Sequence, residues 1–304
     1  MLVTQRGQLI GESYRNGMGP NTPLNVKSVS KSVLSALVGI ALAEGKLQSV
    51  DQPIADFYSH IPANKRTITI RHLLTMSAGF DFVENSTQGN RVYQGQSWTA
   101  NALQLPMRFR PGERFSYATP ATHLLADVLT RATGEDLAVY ARSRLFGPIG
   151  IALHGVTRAP EGTVMGGSDF QMTPRGMAAF GQLYLQGGNW QGRQIVPEDW
   201  IAQSWTMRFG PWRDRSAGAK NGYGYLWWLK RFSSHDAFIA EGWGGHFVVV
   251  LPDLDAVVVT ASSQIDWMTP WWVTHDDRRA AIFAMIEERI LPVLERAEEI
   301  SWRI

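Results

Sequence analysis

Strand-forming sequence in this 304-residue chain sits at its two ends and is missing from the block 51–151. Leu2-Val3-Thr4 and Gln8 to Tyr14 read as two short strands that turn at Arg6-Gly7. Strand character returns in Tyr223 to Lys230, Ala237 to Glu241, Phe247 to Leu251 and Ala256 to Ala261, the last two joined by the turn Pro252-Asp253-Leu254-Asp255. Strands at both ends with helices between them imply one sheet shared by the termini, an inserted helical lobe, and a cleft where the two meet. The expected division is a sheet domain of residues 1–50 plus 152–304 and a helical lobe of 51–151.

After a Gly/Pro/Asn-rich link from Asn16 to Pro23, an apolar-periodic segment begins near Ser28. It runs through Val33, Leu34, Leu37, Ile40 and Ala41 and predicts a helix with Gly45 as its C′ residue. Further helices are predicted over Ile70 to Met76, Ala121 to Thr133 before Gly134, and Leu137 to Leu145 before Gly147-Pro148. Another spans Thr173 to Gln186, with Thr173 as N-cap, Pro174 at the first helical position and a stop at Gly187-Gly188. A closing helix from Asp276 to about Ala297 puts Ile282, Met285, Ile286, Ile290 and Val293 on one stripe and is expected to bend at Pro292. The chain shows no internal repeat and no low-complexity tract.

Composition then excludes several kinds of chemistry. With 44% hydrophobic and 18% charged residues the chain is too apolar to stay solvated and disordered. The 29 basic and 27 acidic residues leave a formal charge of +2, and neither sign forms a run of five or more, so no nucleic-acid partner is expected. Zero cysteines remove disulfides, thiolate zinc sites, iron–sulfur clusters and cysteine nucleophiles together. The first residues lack a charged segment leading into an apolar run, so a cytoplasmic protein is expected as the chain is written, and a periplasmic or secreted one if a leader precedes Met1. The longest apolar candidate, Val33 to Ala43, falls short of the ~18 residues of a membrane span. There is no G-x-S-x-G, H-E-x-x-H or G-x-G-x-x-G, and Gly39 to Lys46 has the wrong spacing for a phosphate loop.

One nucleophile motif remains, Ser28-Val29-Ser30-Lys31, on the first turn of the best-marked helix. The i, i+3 spacing puts Ser28 and Lys31 on one face, where the amine reaches the hydroxyl. A position at the helix N-terminus sets a backbone N–H and the positive end of the macrodipole beside any oxyanion formed at Ser28. A partly desolvated Lys31 would have a lowered pKa and could serve as base. Tyr117-Ala118-Thr119 follows the turn Pro111-Gly112-Glu113 and precedes a helix, so Tyr117 lies on a loop from which a phenol can relay a proton. Gly242-Trp243-Gly244-Gly245-His246 opens an apolar strand, and its glycines admit a close backbone or ligand. Taken singly, an N-capping serine beside a surface lysine, a half-buried tyrosine and a tight bend explain the same residues.

Together, in this order and on these element types, the three pieces resemble the serine β-lactamase and penicillin-binding-protein superfamily. The likeness is greatest to its class C-like branch of DD-peptidases, family VIII carboxylesterases and 6-aminohexanoate-dimer-hydrolase-type amidases. Ser28 to Val33 looks like the family's nucleophile helix, Ile68 to Gly79 like the segment entering its helical lobe, and Pro111-Gly112 to Tyr117 like the approach to its Tyr-x-Asn motif. Leu145 to Ile151 is similar to a structural landmark, and Gly242 to Pro252 to the strand bearing the Lys/His-Thr/Gly-Gly motif. The resemblance implies an α+β sandwich of β-lactamase/transpeptidase-like type, its antiparallel sheet formed by N- and C-terminal strands and flanked by helices.

It also implies a serine hydrolase with Ser28 as nucleophile and Lys31 and Tyr117 moving protons. The Ser28 and His246 N–H groups would hold the oxyanion, and Thr119, Trp243, Gly244 and Gly245 would line the substrate. No metal or cofactor is implied, and the partner is a small-molecule ester or amide. Thr119 stands where the family most often has Asn, and Trp243-Gly244-Gly245 lacks the side chain that grips a β-lactam carboxylate. Both departures favour an esterase or amidase; the alternatives are a β-lactamase or DD-peptidase, and a non-catalytic binding module of the same fold. His72 and His123 are expected to be structural, and Trp267, Trp271 and Trp272 are expected to wall an apolar acyl site.

Overall fold

The structure, a computed structural model, describes residues 1–15, 17–212, 221–262 and 271–301. Seven strands form one sheet: β1 (Leu2–Gln5), β2 (Gln8–Glu12), β3 (Gly222–Tyr223), β4 (Trp228–Phe232), β5 (His235–Gly242), β6 (His246–Leu251) and β7 (Ala256–Thr260). Their order is β2-β1-β7-β6-β5-β4-β3, every pairing antiparallel, so the N-terminal hairpin completes a sheet begun near the other end of the chain.

Register explains why the central strands are apolar without alternation. Val3, Val258, Val249, Ile239 and Trp228 stand opposite one another on neighbouring strands, and the next rung holds Leu2, Val259, Val248 and Ala240. Successive side chains point to opposite faces, and here each face is covered. The Val248 and Val259 face joins a core with helices α1 (Val29–Ala43) and α6 (Pro174–Leu185). The Val249 and Val258 face packs on Phe283, Ile286, Ile290, Leu291 and Leu294 of the closing helical segment.

Two expectations are corrected in this region. The run Tyr223 to Lys230 is two strands, because the Gly224 N–H bonds the Trp227 carbonyl and Leu226 takes a left-handed φ of 60°. The intervening apolar residues are buried by docking: the Tyr225 N–H meets the Ser204 carbonyl of α7 (Glu198–Trp205), and the Leu226 N–H meets the Leu74 carbonyl of α2 (Ile70–Leu74). The closing helix begins at Trp271 as α8 (Trp271–Met285), widens into a π-type turn at Ile286–Ile290, and resumes as α9 (Leu291–Ser301). That wide turn shifts the helical phase, so Leu294 is buried and Val293 is 51% exposed.

Between Asp51 and Ile151 the chain is helical and irregular, as expected, with no named strand among the described residues. This block also holds a helix not expected from the sequence, α3 (Trp98–Gln104), whose Ala100 N–H is capped by the Ser97 side chain. The helix expected from Ala121 starts two residues earlier, as α4 (Thr119–Thr133) with Pro120 in its first turn and Gly134 in the left-handed conformation at its end, and the one expected over Leu137 to Leu145 is α5 (Leu137–Ala141) continued by a π-type turn at Arg142–Phe146. Among the described residues no helix is long and apolar enough to cross a membrane.

Candidate active site

Helix α1 is buried on every side from Val29 to Ala41, so its polar residues must find partners inside the protein. Ser30 Oγ bonds the Lys27 carbonyl at 2.6 Å, and Ser32 Oγ bonds the Leu226 carbonyl at 2.7 Å. Ser28 occupies the N-cap position, yet its side chain caps no helix N–H. Its hydroxyl instead meets Lys31 Nζ at 2.9 Å and lines a pocket of about 760 Å³. The capping explanation for Ser28 is therefore set aside by geometry. Just before it, Lys27 takes a left-handed φ of 52°, held by its N–H on Asn25 Oδ1 at 2.9 Å, while Asn25 Nδ2 donates to Asp169 Oδ1 at 2.6 Å.

Lys31 is 2% exposed and donates to three acceptors: Ser28 Oγ at 2.9 Å, Thr119 Oγ1 at 3.1 Å and the Gly167 carbonyl at 2.5 Å. Burial lowers its pKa to about 8, with the carboxylates of Glu84 and Asp169 pulling the other way. A Cβ at Gly167 would lie 2.3 Å from Thr122 Oγ1 and 2.7 Å from Thr119 Cγ2, so any larger residue there would displace the hydroxyl that accepts from Lys31.

Tyr117 stands on the loop before α4, its ring 5.0 Å from Lys31 Nζ and stacked on Trp228 at 5.8 Å. Burial, aided by the field of Glu84, raises the phenol well above its ordinary pKa, while a hydrogen bond with the Ser28 side chain acts against that shift. A shift in that direction favours the neutral phenol, the form that can donate or relay a proton. Thr119, where an Asn was the family expectation, uses its shorter hydroxyl to accept from Lys31.

The segment Gly242 to His246 is a hairpin rather than the opening of one strand. Gly242 ends β5, Trp243-Gly244-Gly245 form the turn with φ of 93° and 96° at its two glycines, and His246 begins β6 opposite Gly242. Gly242 lies against the segment leading into Ser28, where a Cβ would sit 2.3 Å from the Val26 carbonyl oxygen. Trp243 lines the pocket; the His246 side chain is 4% exposed and faces the interior. The Gly245 and Gly244 carbonyls accept from the Thr260 and Ser262 hydroxyls, which fixes the turn.

The structure thus brings Ser28, Lys31, Tyr117, Thr119 and Trp243 around one cavity. It adds residues that sequence reasoning missed: Glu84, whose Oε1 accepts the Thr119 N–H, the Gly167 carbonyl, and Trp228. Paired glycines at 166–167 are a signal of close backbone approach; nothing local marks Glu84 in a polar loop. His72 and His123 serve structure: His72 Nδ1 accepts the Thr69 N–H in a reciprocal cap of α2, and buried His123 lies between Thr99 Oγ1 and Glu161 Oε1. The aromatic patch expected from Trp267, Trp271 and Trp272 lies outside the described residues and side chains. Among the described residues no group of three or more His, Cys, Asp or Glu is placed to hold a metal ion.

A family model described as Beta-lactamase matches residues 1–270. The 6-aminohexanoate-dimer hydrolase of Paenarthrobacter ureafaciens is 24% identical over 300 residues, spanning 89% of this chain and 74% of that protein. The octameric penicillin-binding protein homologue from Pyrococcus abyssi has a TM-score of 0.70 at 19% identity, over 98% of this chain and 76% of its own. EstCE1, a hydrolase with promiscuous acyltransferase activity, has a TM-score of 0.70 at 17% identity, over 93% and 92% of the two chains.

Proposed function

The chain belongs to the beta-lactamase family of hydrolases, and we propose that it is a serine hydrolase that cleaves an ester or amide bond through an acyl-enzyme on Ser28. The observation that carries this reading is the 2.9 Å contact between Ser28 Oγ and a buried lysine whose pKa is lowered to about 8. Neutral Lys31 takes the hydroxyl proton as Ser28 Oγ attacks the carbonyl carbon, and the carbonyl electron pair moves onto oxygen. The backbone N–H groups of Ser28 and His246 are assigned to that oxyanion, with the α1 dipole aiding. The tetrahedral intermediate collapses, and the departing alkoxide or amine receives the proton from Lys31, relayed by the Tyr117 phenol. Water then attacks the acyl-Ser28 ester by the same steps in reverse, releasing the acid and restoring the serine.

We place this chemistry in a cleft between a sheet domain (1–50 plus 152–304) and an inserted helical lobe (51–151). The pocket takes Glu84, Tyr93, Tyr117 and Thr119 from the second stretch and Lys27, Ser28, Trp228 and Trp243 from the first.

Intact-mass measurement after exposure to a fluorophosphonate, and in parallel to a penicillin, tests the reading. The expected result is one phosphonyl adduct that is absent from Ser28→Ala, with no penicilloyl adduct and no penicillin consumed. A penicilloyl-Ser28 or rapid penicillin loss would convert the assignment to a penicillin-recognising enzyme. Absence of any adduct, with no ester turnover, would make the chain a binding module.

A further inference from the structure

Helix α4 starts on a residue that cannot cap it. Ala118 holds the N-cap position, where a side-chain oxygen would ordinarily accept a helix N–H, and its methyl offers none. The N–H of Thr119 donates instead to Oε1 of Glu84, which comes from a loop 35 residues earlier. That loop is folded on itself. Asn85 takes a left-handed φ of 56°, and Ser86 Oγ donates to the Val83 carbonyl at 2.8 Å and accepts the Gly89 N–H at 2.9 Å. Val83 is left 62% exposed, while Glu84 is half-buried and lines the Ser28 pocket.

This borrowed cap reaches the proposed chemistry through one residue. Thr119 Oγ1 accepts from Lys31 Nζ at 3.1 Å, and Lys31 Nζ meets Ser28 Oγ at 2.9 Å. An ammonium has three hydrogens, and Thr119 takes one of them, so the place of Thr119 helps to fix the direction in which Lys31 faces Ser28.

Charge acts alongside position. Lys31 is faced by Glu84 and the Tyr117 phenol from the block 51–151, and by Asp169, with its partner Lys27, from the other side. Tyr93 lines the same pocket, as do Glu241 and Asp276 with their shared partner Arg279. Asp169 lies 3.6 Å from Lys27 Nζ and accepts from Asn25 and Ser168, so its charge is already answered. Among the described residues no cationic side chain lies within ion-pair distance of Glu84. Burial is what lowers the Lys31 pKa, and the field of Glu84 is the larger of the two carboxylate effects that oppose it.

We infer that Glu84 is a positioning residue of this site: it holds Thr119 where the threonine hydroxyl meets Lys31, and its negative charge opposes departure of the Lys31 proton. The role rests on the serine-hydrolase reading above. Reach and charge are separate properties of one side chain, so each can be removed without the other. Glu84→Gln keeps an acceptor for the Thr119 N–H and loses the charge. Glu84→Asp keeps the charge and draws the carboxylate back by one methylene.

The test is the pH profile of kcat/KM for p-nitrophenyl butanoate, with hydrolysis in buffer subtracted and each rate divided by the fraction of enzyme that a fluorophosphonate titrates. In the wild type the ascending limb is expected near 8. In Glu84→Gln it should move down by about 0.5–1 pH unit, with a plateau within about threefold of the wild type. In Glu84→Asp the limb should stay and the plateau should fall about tenfold. A variant that is merely less stable lowers the titratable fraction and leaves the limb where it was.

A limb unmoved in Glu84→Gln overturns the role of the charge, and a full plateau in Glu84→Asp overturns the role of the reach. Should Glu84→Gln not fold, Glu84→Asp decides, and a profile identical to the wild type overturns the inference. Absence of wild-type turnover together with absence of a fluorophosphonate adduct removes the hydrolase reading and this role with it. Wild-type turnover with both variants matching it removes this role alone.

Discussion

An ammonium group taken out of water destabilises the protein unless something offsets the lost hydration, and Lys31 is offset by three hydrogen bonds rather than by a contacting carboxylate. This difference sets its chemistry. A close anion would hold the proton on, whereas burial with neutral acceptors lowers the pKa to about 8. At pH 7 roughly one lysine in ten is then neutral, the form that the proposed attack by Ser28 requires. We therefore expect kcat/KM to rise with pH through an ascending limb near 8, measured on an ester whose own hydrolysis is subtracted. A limb near 6 would point to a histidine instead. Lys31→Arg should lose about 10²–10⁴ in kcat/KM without recovery at high pH, because a guanidinium stays charged. The same shift affects stability. The unfolded chain, with an ordinary lysine pKa near 10.5, binds more protons than the folded one between about pH 8 and 10.5. Stability contributed by this group is accordingly lowest below pH 8 and rises through that window, a rise that denaturant titration should find missing in Lys31→Met. At this scale the sequence was partly legible. Ser28 and Lys31 are visible because three residues of helix bring them together, and their pocket partners are not. Gly167 reaches Lys31 across 136 residues and Glu84 reaches Thr119 across 35, contacts that tertiary folding creates and local pattern does not carry.

Elements were legible where one physical signal dominated and misread where two competed. Helix α1 combines an apolar run with a closing glycine, and α6 has Thr173 accepting the Gly176 N–H ahead of Pro174, so both helices fall within a residue or two of their expected bounds. The run Tyr223 to Lys230 has strand-forming composition throughout, yet Gly224 breaks it, because a Cβ there would lie 2.1 Å from the Ser204 carbonyl oxygen. The stripe on the closing helix failed after the wide turn at Ile286–Ile290, since a regular 3.6-residue period does not survive an extra residue. Packing of α6 on the sheet gives a test at this scale. Gly181 faces the valines, where a Cβ would meet Val257 Cγ1 at 2.6 Å and Val248 Cγ1 at 2.7 Å. Those side chains sit in central strands with little room to retreat, so Gly181→Ala should destabilise by about 1–3 kcal/mol through overpacking. The Ser28 pocket is on other elements, and the activity per folded molecule should change little. Urea unfolding paired with active-site titration separates the two effects, and an unchanged midpoint would contradict the packing.

For the whole molecule, the arrangement of the core bears on whether the proposed sheet domain and helical lobe behave separately. One continuous cluster of buried side chains joins Leu37 of α1, Leu73 of α2, Leu124 of α4, Phe146, Phe180 of α6, and Val248 and Val257 of the sheet. Polar ties cross the same boundary: the Leu226 N–H bonds the Leu74 carbonyl, the Arg71 guanidinium bonds the Tyr225 hydroxyl, and Lys31 bonds Thr119. Two lobes that could part would be expected to bury separate cores with a polar seam, whereas here α1 supplies apolar side chains to both. The proposed site depends on that union, because Ser28 sits at the N-cap of α1 and Lys31 within it, while Tyr117 and Thr119 come from the block 51–151. Melting either part alone would move Thr119 away from Lys31 and leave the ammonium without one of its acceptors. We therefore expect one cooperative unfolding transition, in which far-ultraviolet circular dichroism, tryptophan fluorescence and loss of fluorophosphonate labelling share a midpoint. Tryptophans lie on both sides of the boundary, with Trp98 in the block 51–151 and Trp200 and Trp227 outside it, so fluorescence reports on both parts. A labelling loss that precedes the spectroscopic transition would mean that the cleft opens before the core melts. Two separated spectroscopic transitions would mean that the lobes fold independently and that the shared core contributes less than its continuity suggests.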